Sequence, residues 1–232
     1  MNTFSHYVFV TMFLFGMNIP LIVILIFVLA NSEVCFAQTK PLQIIRTYRE
    51  ANEHAILREF RDFLAVPNIA SDSASIAQNA AFILEMMKKR GIENVQLLRG
   101  TKPDAPPAVF GEVKVKGATK TIVLYAHYDG QPVNPLEWSR DGKPFAPVLR
   151  TGALDKGGEV IDIPNDKAKI HSENRIYARS ASDDKGGVIA ILNAYQALRK
   201  SNIQPSVNLK FFFEGEEEAG SPNLGDILER NK

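Results

Sequence analysis

The chain has 232 residues, 45% of them hydrophobic and 23% charged, an ordinary composition for a globular domain with a buried core. Its net charge is +1, and its densest basic cluster, Lys88-Lys89-Arg90, ends a predicted helix, so nucleic-acid binding is not expected. The single cysteine, Cys35, lies in the N-terminal leader, which excludes disulfides, thiol catalysis and thiolate metal sites from the mature domain.

The N-terminal leader differs in composition from the rest of the chain. Residues 7–30 carry no charged side chain, and Cys35-Phe36-Ala37 has the small residues of a cleavage site. We predict that residues 1–37 are a signal peptide cut after Ala37, so that the protein is exported to the periplasm or the extracellular space. The apolar run is also long enough to span a bilayer, and the alternative is therefore an uncleaved membrane anchor. Residues 38–232 are predicted to form one domain.

Three helices are predicted from the spacing of apolar residues. The first covers residues 42–64, and Pro67 ends its pattern. The second covers residues 73–90, with Gly91 placed to cap its C-terminus. The third covers residues 184–200. Each has an apolar stripe on one face, which is typical of a helix that covers a sheet.

Short apolar segments between the helices predict strands. The segment 121–126 is apolar throughout, so we expect it to be central and covered on both faces. Residues 141–174 are rich in Gly, Pro and Asp and predict turns and short hairpins. The alternation predicts an α/β fold, a layered helix-sheet-helix domain with a largely parallel central sheet, in which sites form at the carboxyl ends of strands. The remaining strands are expected at 94–98, 108–115, 175–178 and 207–214.

Polar clusters follow three of these strands, and the first is LYAHYDG at residues 124–130. His127 and Asp129 are two apart in an extended segment, so both side chains can point to the same side. This spacing suits a metal-binding histidine whose second ring nitrogen is held by a carboxylate. The structural alternative is a His–Asp pair that fixes a loop.

The second cluster, ASDDKGG at residues 181–187, contains adjacent carboxylates at Asp183 and Asp184. Either could cap the N-terminus of the helix that follows, with the glycines allowing a tight turn. In the functional interpretation, Asp183 projects from the loop and bridges two cations. The glycines follow the lysine instead of preceding it, which excludes a Walker-type phosphate loop.

The third cluster, FFFEGEEEAGS at residues 211–221, sets four glutamates beside three phenylalanines. A solvated acidic turn is the structural alternative. Carboxylates crowded at the end of a buried strand repel one another unless cations or raised pKa values relieve them, so we favour metal binding. Adjacent glutamates also allow one to bind metal while its neighbour transfers protons. The four are Glu214, Glu216, Glu217 and Glu218.

Together the clusters resemble the carnosinase, glutamate carboxypeptidase and succinyl-diaminopimelate desuccinylase family of co-catalytic zinc peptidases. HYDGQPV with Glu137-Trp138, then SASDDKGG, then EGEEEAGS are most similar to its dipeptidase branch. The resemblance covers essentially everything after the leader and implies a phosphorylase/hydrolase-like zinc-peptidase fold. It implies a metal-dependent peptidase of dipeptidase or carboxypeptidase type that acts on a small peptide, with two Zn²⁺ ions and a homodimer of the full-length protein. Mn²⁺ or Co²⁺ are alternative metals, and an N-acyl amino acid is the alternative substrate.

The resemblance also implies a role for each candidate residue. A water shared by the two metals would lose its proton to the general base and attack an amide carbonyl, and the base would then protonate the leaving amine. A cis peptide after Asp183 is implied as well. The implied roles are His127 as ligand of one metal, Asp129 as the residue that orients it, Asp183 as the bridging ligand, Glu217 as the general base and Glu218 as ligand of the second metal.

Three departures from the family pattern limit this expectation. Ala178-Arg179-Ser180 stands where the family often has glycines around the arginine, and the 141–174 stretch looks longer than usual. The family also supplies a further acidic ligand, a distal histidine and an inserted dimerisation domain, none of which precedes Lys232. We therefore expect a truncated, N-terminal part of the catalytic domain. The alternative is a non-catalytic remnant that binds metal weakly or has a structural role.

Overall fold

The computed structural model describes most of the chain. The described residues are 19–138, 143–164, 168 and 170–232, with side chains from residue 40 onward. Contacts group the chain into two units, residues 1–46 and residues 47–232. The core and the candidate site lie in the second unit.

The predicted leader, residues 1–37, lies outside the residues whose side chains are described. In the first unit the described residues are helical and belong to helix α1, Ile19–Leu64. Over the described ranges, no helix has both the length and the apolar character needed to cross a bilayer. The signal peptide, the anchor and export stay predictions.

The helices of the second unit end near the positions that the sequence predicts. Asp72 caps α2 by accepting a hydrogen bond from the Ser75 amide at 3.1 Å, and Gly91 follows the helix with a φ of 66°. The α1 helix ends three residues before Pro67. Besides α1, the helices are α2 (Ser73–Lys89), α3 (Lys185–Lys200) and α4 (Leu224–Arg230).

Over the described residues the main sheet has four strands, β1 (Glu93–Leu98), β2 (Ala108–Val113), β3 (Thr121–His127) and β7 (Asn208–Glu214). Their order in the sheet is β1-β2-β7-β3. β3 and β7 run parallel, because the chain crosses between them through α3. The β1–β2 and β2–β7 pairs are antiparallel, so the sheet is mixed and the prediction of a largely parallel sheet is corrected. No helix joins β1 to β2, and the chain therefore turns back on itself.

The prediction that 121–126 forms a central, doubly covered strand is wrong. Over the described residues β3 pairs on one side only, with β7, and is an edge strand. Ile122, Val123 and Tyr125 are 49%, 59% and 47% exposed. A continuous apolar run indicates a strand but does not determine what covers it.

A second, small sheet lies in the segment before α3. Its strands β4 (Val148–Arg150), β5 (Val160–Ile161) and β6 (Arg175–Tyr177) are ordered β5-β4-β6 and pair antiparallel. Short hairpins are therefore present between 141 and 174, as predicted. The predicted strand at 175–178 belongs to this sheet and not to the central one, so the second polar cluster does not follow a strand of the main sheet.

The core lies on one face of the main sheet, which confirms the α/β layered class. Phe211 and Phe213 of β7 are fully buried there, with side chains from α1, α2 and α3. Phe212 points the other way and packs with Ile227 of α4 in a smaller cluster. This alternation anchors β7 between two layers and fixes the position of the glutamates that follow it.

Candidate active site

The three polar clusters meet at one end of the main sheet. His127 is aligned with Glu214 in the parallel β3–β7 pair, so the first and third clusters leave the sheet side by side. The Nε2 atom of His127 lies 2.9 Å from Oδ1 of Asp183 and 3.7 Å from Oε2 of Glu217. A side chain from each cluster is therefore brought to a single position.

Asp183 and Asp184 have different environments. Asp184 is the N-cap of α3, where Oδ1 accepts from the Gly187 amide at 3.2 Å and Oδ2 accepts from the His127 amide at 3.3 Å. The Asp183 side chain is 77% exposed and reaches the His127 ring. The peptide between the two residues is cis, as the resemblance implies.

Asp129 is fully buried and connects the first cluster to the third. Oδ1 accepts a hydrogen bond from the Glu217 amide at 3.2 Å, and Oδ2 accepts one from the Glu218 amide at 3.0 Å. Oδ1 lies 3.4 Å from Nδ1 of His127, but this contact lacks hydrogen-bond geometry, and Nδ1 has no hydrogen-bond partner. Asp129 thus places a negative charge beside the imidazole while holding the turn that carries both glutamates.

The four glutamates divide into two pairs. Glu214 and Glu216 are buried and accept hydrogen bonds from neighbouring side chains and amides, so protein donors and not cations compensate their charge. Glu217 is exposed and Glu218 half-buried. The donors, which the sequence interpretation missed, are Tyr125 and Ser221 to Glu214, and Asn223 to Glu216.

The electrostatic field of this cluster favours a protonated imidazole. Burial lowers the pKa of His127, but the carboxylates of Asp129, Asp183 and Glu217 outweigh it and raise the pKa to about 9. A divalent cation would experience the same attraction. The pKa shift of His127 is therefore an indication that positive charge is favoured at this position.

The donor set suits a divalent cation, although the described residues contain no group of three His, Cys, Asp or Glu side chains arranged to hold one. Two ligands of one Zn²⁺ at about 2.1 Å lie about 3.0 to 3.5 Å apart, so the 2.9 Å between His127 and Asp183 is close to what a shared ion requires. The Glu218 carboxylate instead accepts a hydrogen bond from Gln131 at 2.5 Å. His127, Asp183 and Glu217 are brought together, whereas Glu218 is held to one side.

An α/β domain with a histidine and carboxylates at the carboxyl ends of adjacent parallel strands has the features of a metal-dependent hydrolase. Residues 123–232 match the model of Peptidase family M20/M25/M40. This match includes all three polar clusters and confirms the family resemblance drawn from their motifs.

Individual relatives agree with this assignment. The chain is 30% identical to Cys-Gly metallodipeptidase DUG1 of Candida albicans over 200 residues, which are 81% of the chain and 37% of that protein. It is 30% identical to Beta-Ala-His dipeptidase of Homo sapiens over 137 residues, which are 59% of the chain and 22% of that protein. The chain therefore spans about a third or less of the length of these relatives.

Solved structures show the same fold. The M20 family metallo-carboxypeptidase Sso-CP2 from Sulfolobus solfataricus matches with a TM-score of 0.58 and 35% identity, covering 76% of this chain and 34% of that one. The di-peptidase Dug1p from Saccharomyces cerevisiae matches with a TM-score of 0.62 and 24% identity, covering 83% of this chain and 37% of that one.

Proposed function

We propose that this chain carries metal-binding and proton-transfer residues of a dipeptidase that hydrolyses the amide bond of a small peptide. The proposal is carried by one observation: carboxylate oxygens of Asp183 and Glu217 lie 2.9 and 3.7 Å from the Nε2 atom of His127. The three residues come from three separate motifs. The match of residues 123–232 to the M20/M25/M40 family and the dipeptidases among the relatives support the choice of reaction.

His127 and Asp183 would hold the first cation, and Asp183 and Glu218 the second, with Zn²⁺ as the first choice and Mn²⁺ or Co²⁺ as alternatives. A divalent cation bound there would polarise the substrate carbonyl and make a water more acidic. Asp129 keeps negative charge against the imidazole and holds the Glu217–Glu218 turn. It thereby fixes the two glutamates relative to His127.

Glu217 is the general base of the proposed reaction. Its side chain is 46% exposed and lies beside the His127 ring, so it can reach both solvent and a substrate at the end of the sheet. It takes the proton of the attacking water and returns it to the leaving amine, a cycle that needs no covalent enzyme intermediate. Glu214 and Glu216 do not take this role because their oxygens are already occupied by protein donors.

A second candidate function is metal binding without hydrolysis. It is favoured by the lack of a three-ligand group among the described residues, since an open zinc site normally keeps three protein ligands. This chain would then bind Zn²⁺ weakly and release no amine from any peptide.

Hydrolysis and metal binding should be measured together. We expect Zn²⁺-dependent cleavage of Cys-Gly or Beta-Ala-His, with an N-acetyl amino acid as the test of the alternative substrate class. Glu217→Gln should lower the rate by about 10² to 10⁴ because the base is lost, while Zn²⁺ affinity by calorimetry stays close to that of the wild type.

His127→Asn is the control, because it should lose Zn²⁺ affinity and activity together. Equal hydrolysis by the wild type and Glu217→Gln would reject Glu217 as the base. Zn²⁺ binding by the wild type with no hydrolysis of any of the three substrates would favour the second candidate.

A further inference from the structure

The first part of the connector between α1 and α2, residues 65–69, lies against two of the site loops. Its residue Asn68 is 0% exposed, although asparagine is usually found at the surface. No charged or catalytic motif marks this segment, and the proposed mechanism does not use it. A fully buried polar side chain must be accounted for by its hydrogen bonds.

Asn68 bonds to the backbone on both sides of Asp129. Its Nδ2 donates to the carbonyl of Tyr128, the residue between His127 and Asp129, at 2.8 Å. The main-chain carbonyl of Asn68 accepts a hydrogen bond from the Gly130 amide at 2.8 Å. The next residue, Ile69, forms a parallel β-bridge with Gly130. The backbone on either side of Asp129 is therefore held by one residue of the connector.

The same amide nitrogen reaches the loop that carries Asp183. Nδ2 of Asn68 also donates to Oγ of Ser180 at 2.9 Å, three residues before Asp183. Ser180 is buried and has a φ of 61°, a conformation that few L residues adopt. Both donors of a single amide group are thus used to join two loops.

The two loops approach so closely that no side chain fits between them. A Cβ added at Gly130 would lie 2.3 Å from Oγ of Ser180 and 3.1 Å from Nδ2 of Asn68. The close contact with Ser180 and Asn68 therefore requires glycine at this position. Asn68 therefore joins the two loops at a point where they are closely packed.

The connector is attached to the Asp183 loop a second time through Lys185. This side chain is 0% exposed, and its Nζ donates to the carbonyls of Phe63 and Val66 at 2.8 and 2.7 Å. Nζ also lies 4.5 Å from the centre of the Phe63 ring. These carbonyls lie at and just beyond the C-terminus of α1, where helices leave acceptors unpaired.

We propose that Asn68 is a positioning residue that sets the distance between His127 and Asp183 by joining their loops. Its effect on metal affinity rests on the proposed function, whereas its effect on loop geometry does not. Groups that orient metal ligands typically contribute a factor of about 10 to 100 in affinity. Asn68 would make this contribution through the two loops, without itself binding the ion.

The test compares Asn68→Ala with Asn79→Ala in the full chain. Asn79 is also 0% exposed and donates from Nδ2 to two carbonyls, those of Pro67 and Ser75, but not to the site loops. We expect Asn68→Ala to weaken Zn²⁺ binding at least about 10-fold more than Asn79→Ala. Ser180→Ala, which removes one of the two side-chain bonds of Asn68, should give an intermediate loss.

Amide hydrogen exchange of the metal-free chain gives a second readout. In Asn68→Ala, exchange in segments 127–131 and 180–186 should be at least about 10-fold faster than in Asn79→Ala, with similar exchange in the core strands. Equal exchange in both variants would overturn the positioning role, whatever the metal affinity. A wild type that binds no Zn²⁺ would reject the proposed function, and the exchange comparison would still decide the role of Asn68.

Discussion

Asp183 and Asp184 are chemically identical neighbours with separate tasks. Asp184 caps α3 and also accepts a hydrogen bond from the His127 amide, so both of its oxygens are engaged. Asp183 is left to face the His127 ring from an exposed position. Glu216 and Glu217 differ in the same way. Both carboxylate oxygens of Glu216 accept hydrogen bonds from Asn223, whereas Glu217 lies beside the His127 ring. Local hydrogen bonds decide which carboxylate is available for chemistry.

The raised pKa of His127 predicts a pH-dependent stability in the metal-free chain. The folded-state pKa of about 9 exceeds the ordinary 6.5, so the protonated imidazole stabilises the folded state. This stabilisation is fully present below about pH 6.5 and is lost as the pH rises through 9. Chemical denaturation in the presence of chelator should show the difference between wild type and His127→Gln shrinking over this range.

The pH dependence that Lys185 contributes must be distinguished from that of His127. Burial lowers the pKa of Lys185 to about 7. The contribution of Lys185 to the free energy of unfolding therefore increases as the pH rises above 7, whereas that of His127 decreases. Since His127→Gln keeps Lys185, the difference between the two proteins isolates the histidine. A difference that stays constant from pH 6 to 9.5 would contradict the prediction.

At the scale of elements, three helices are joined by one buried cation. Arg90, at the C-terminal cap of α2, donates to the carboxylate of Glu59 in α1 and to Oδ1 of Asn193 in α3 at 3.2 Å. It also donates to the Met86 carbonyl at 3.1 Å. These bonds fix the layer of helices that covers the main core.

We expect Arg90→Met to lower the free energy of unfolding by about 2 kcal/mol, because it leaves Glu59 and Asn193 without their partner while filling similar space. Arg61→Met is the control, since Arg61 pairs with Asp62 at the surface and the loss should stay below about 1 kcal/mol. Urea denaturation measures both variants. Equal losses would mean that the buried network contributes no more than the surface pair.

At the scale of the whole molecule, the free side of β3 is an unprotected sheet edge over the described residues. Ile122, Val123 and Tyr125 expose apolar side chains along it. Such edges pair with other strands unless a charge or a covering element prevents it. The strand that ends in His127 is therefore also an exposed element of the fold.

We predict that Val123→Lys reduces self-association of the chain, measured as the weight-average sedimentation coefficient over a range of concentrations. A lysine on an edge strand opposes pairing through its charge and its solvation. Leu136→Lys is the matched control, because Leu136 is 92% exposed but lies outside the strand. A similar reduction by both variants would indicate that general charge, and not the β3 edge, controls association.

Local sequence patterns predict most of the helices and strands, and the motifs indicate the family. Helical spacing and caps predict α2 and α3 closely, and the apolar runs predict β3 and β7 because these signals depend on neighbouring residues. The motifs around His127, Asp183 and Glu217 indicated the family for the same reason. The roles of the individual site residues stay predictions.

Which elements become neighbours depends on the folded chain and not on local sequence patterns. The pairing of β2 with β7, the position of β3 at the edge and the separate sheet of β6 depend on contacts between residues far apart in the chain. The same holds for Asn68, whose bonds to Tyr128 and Ser180 span 60 and 112 residues and leave no trace in local periodicity. Burial and hydrogen-bond partners are set by packing, and packing is a property of the folded chain.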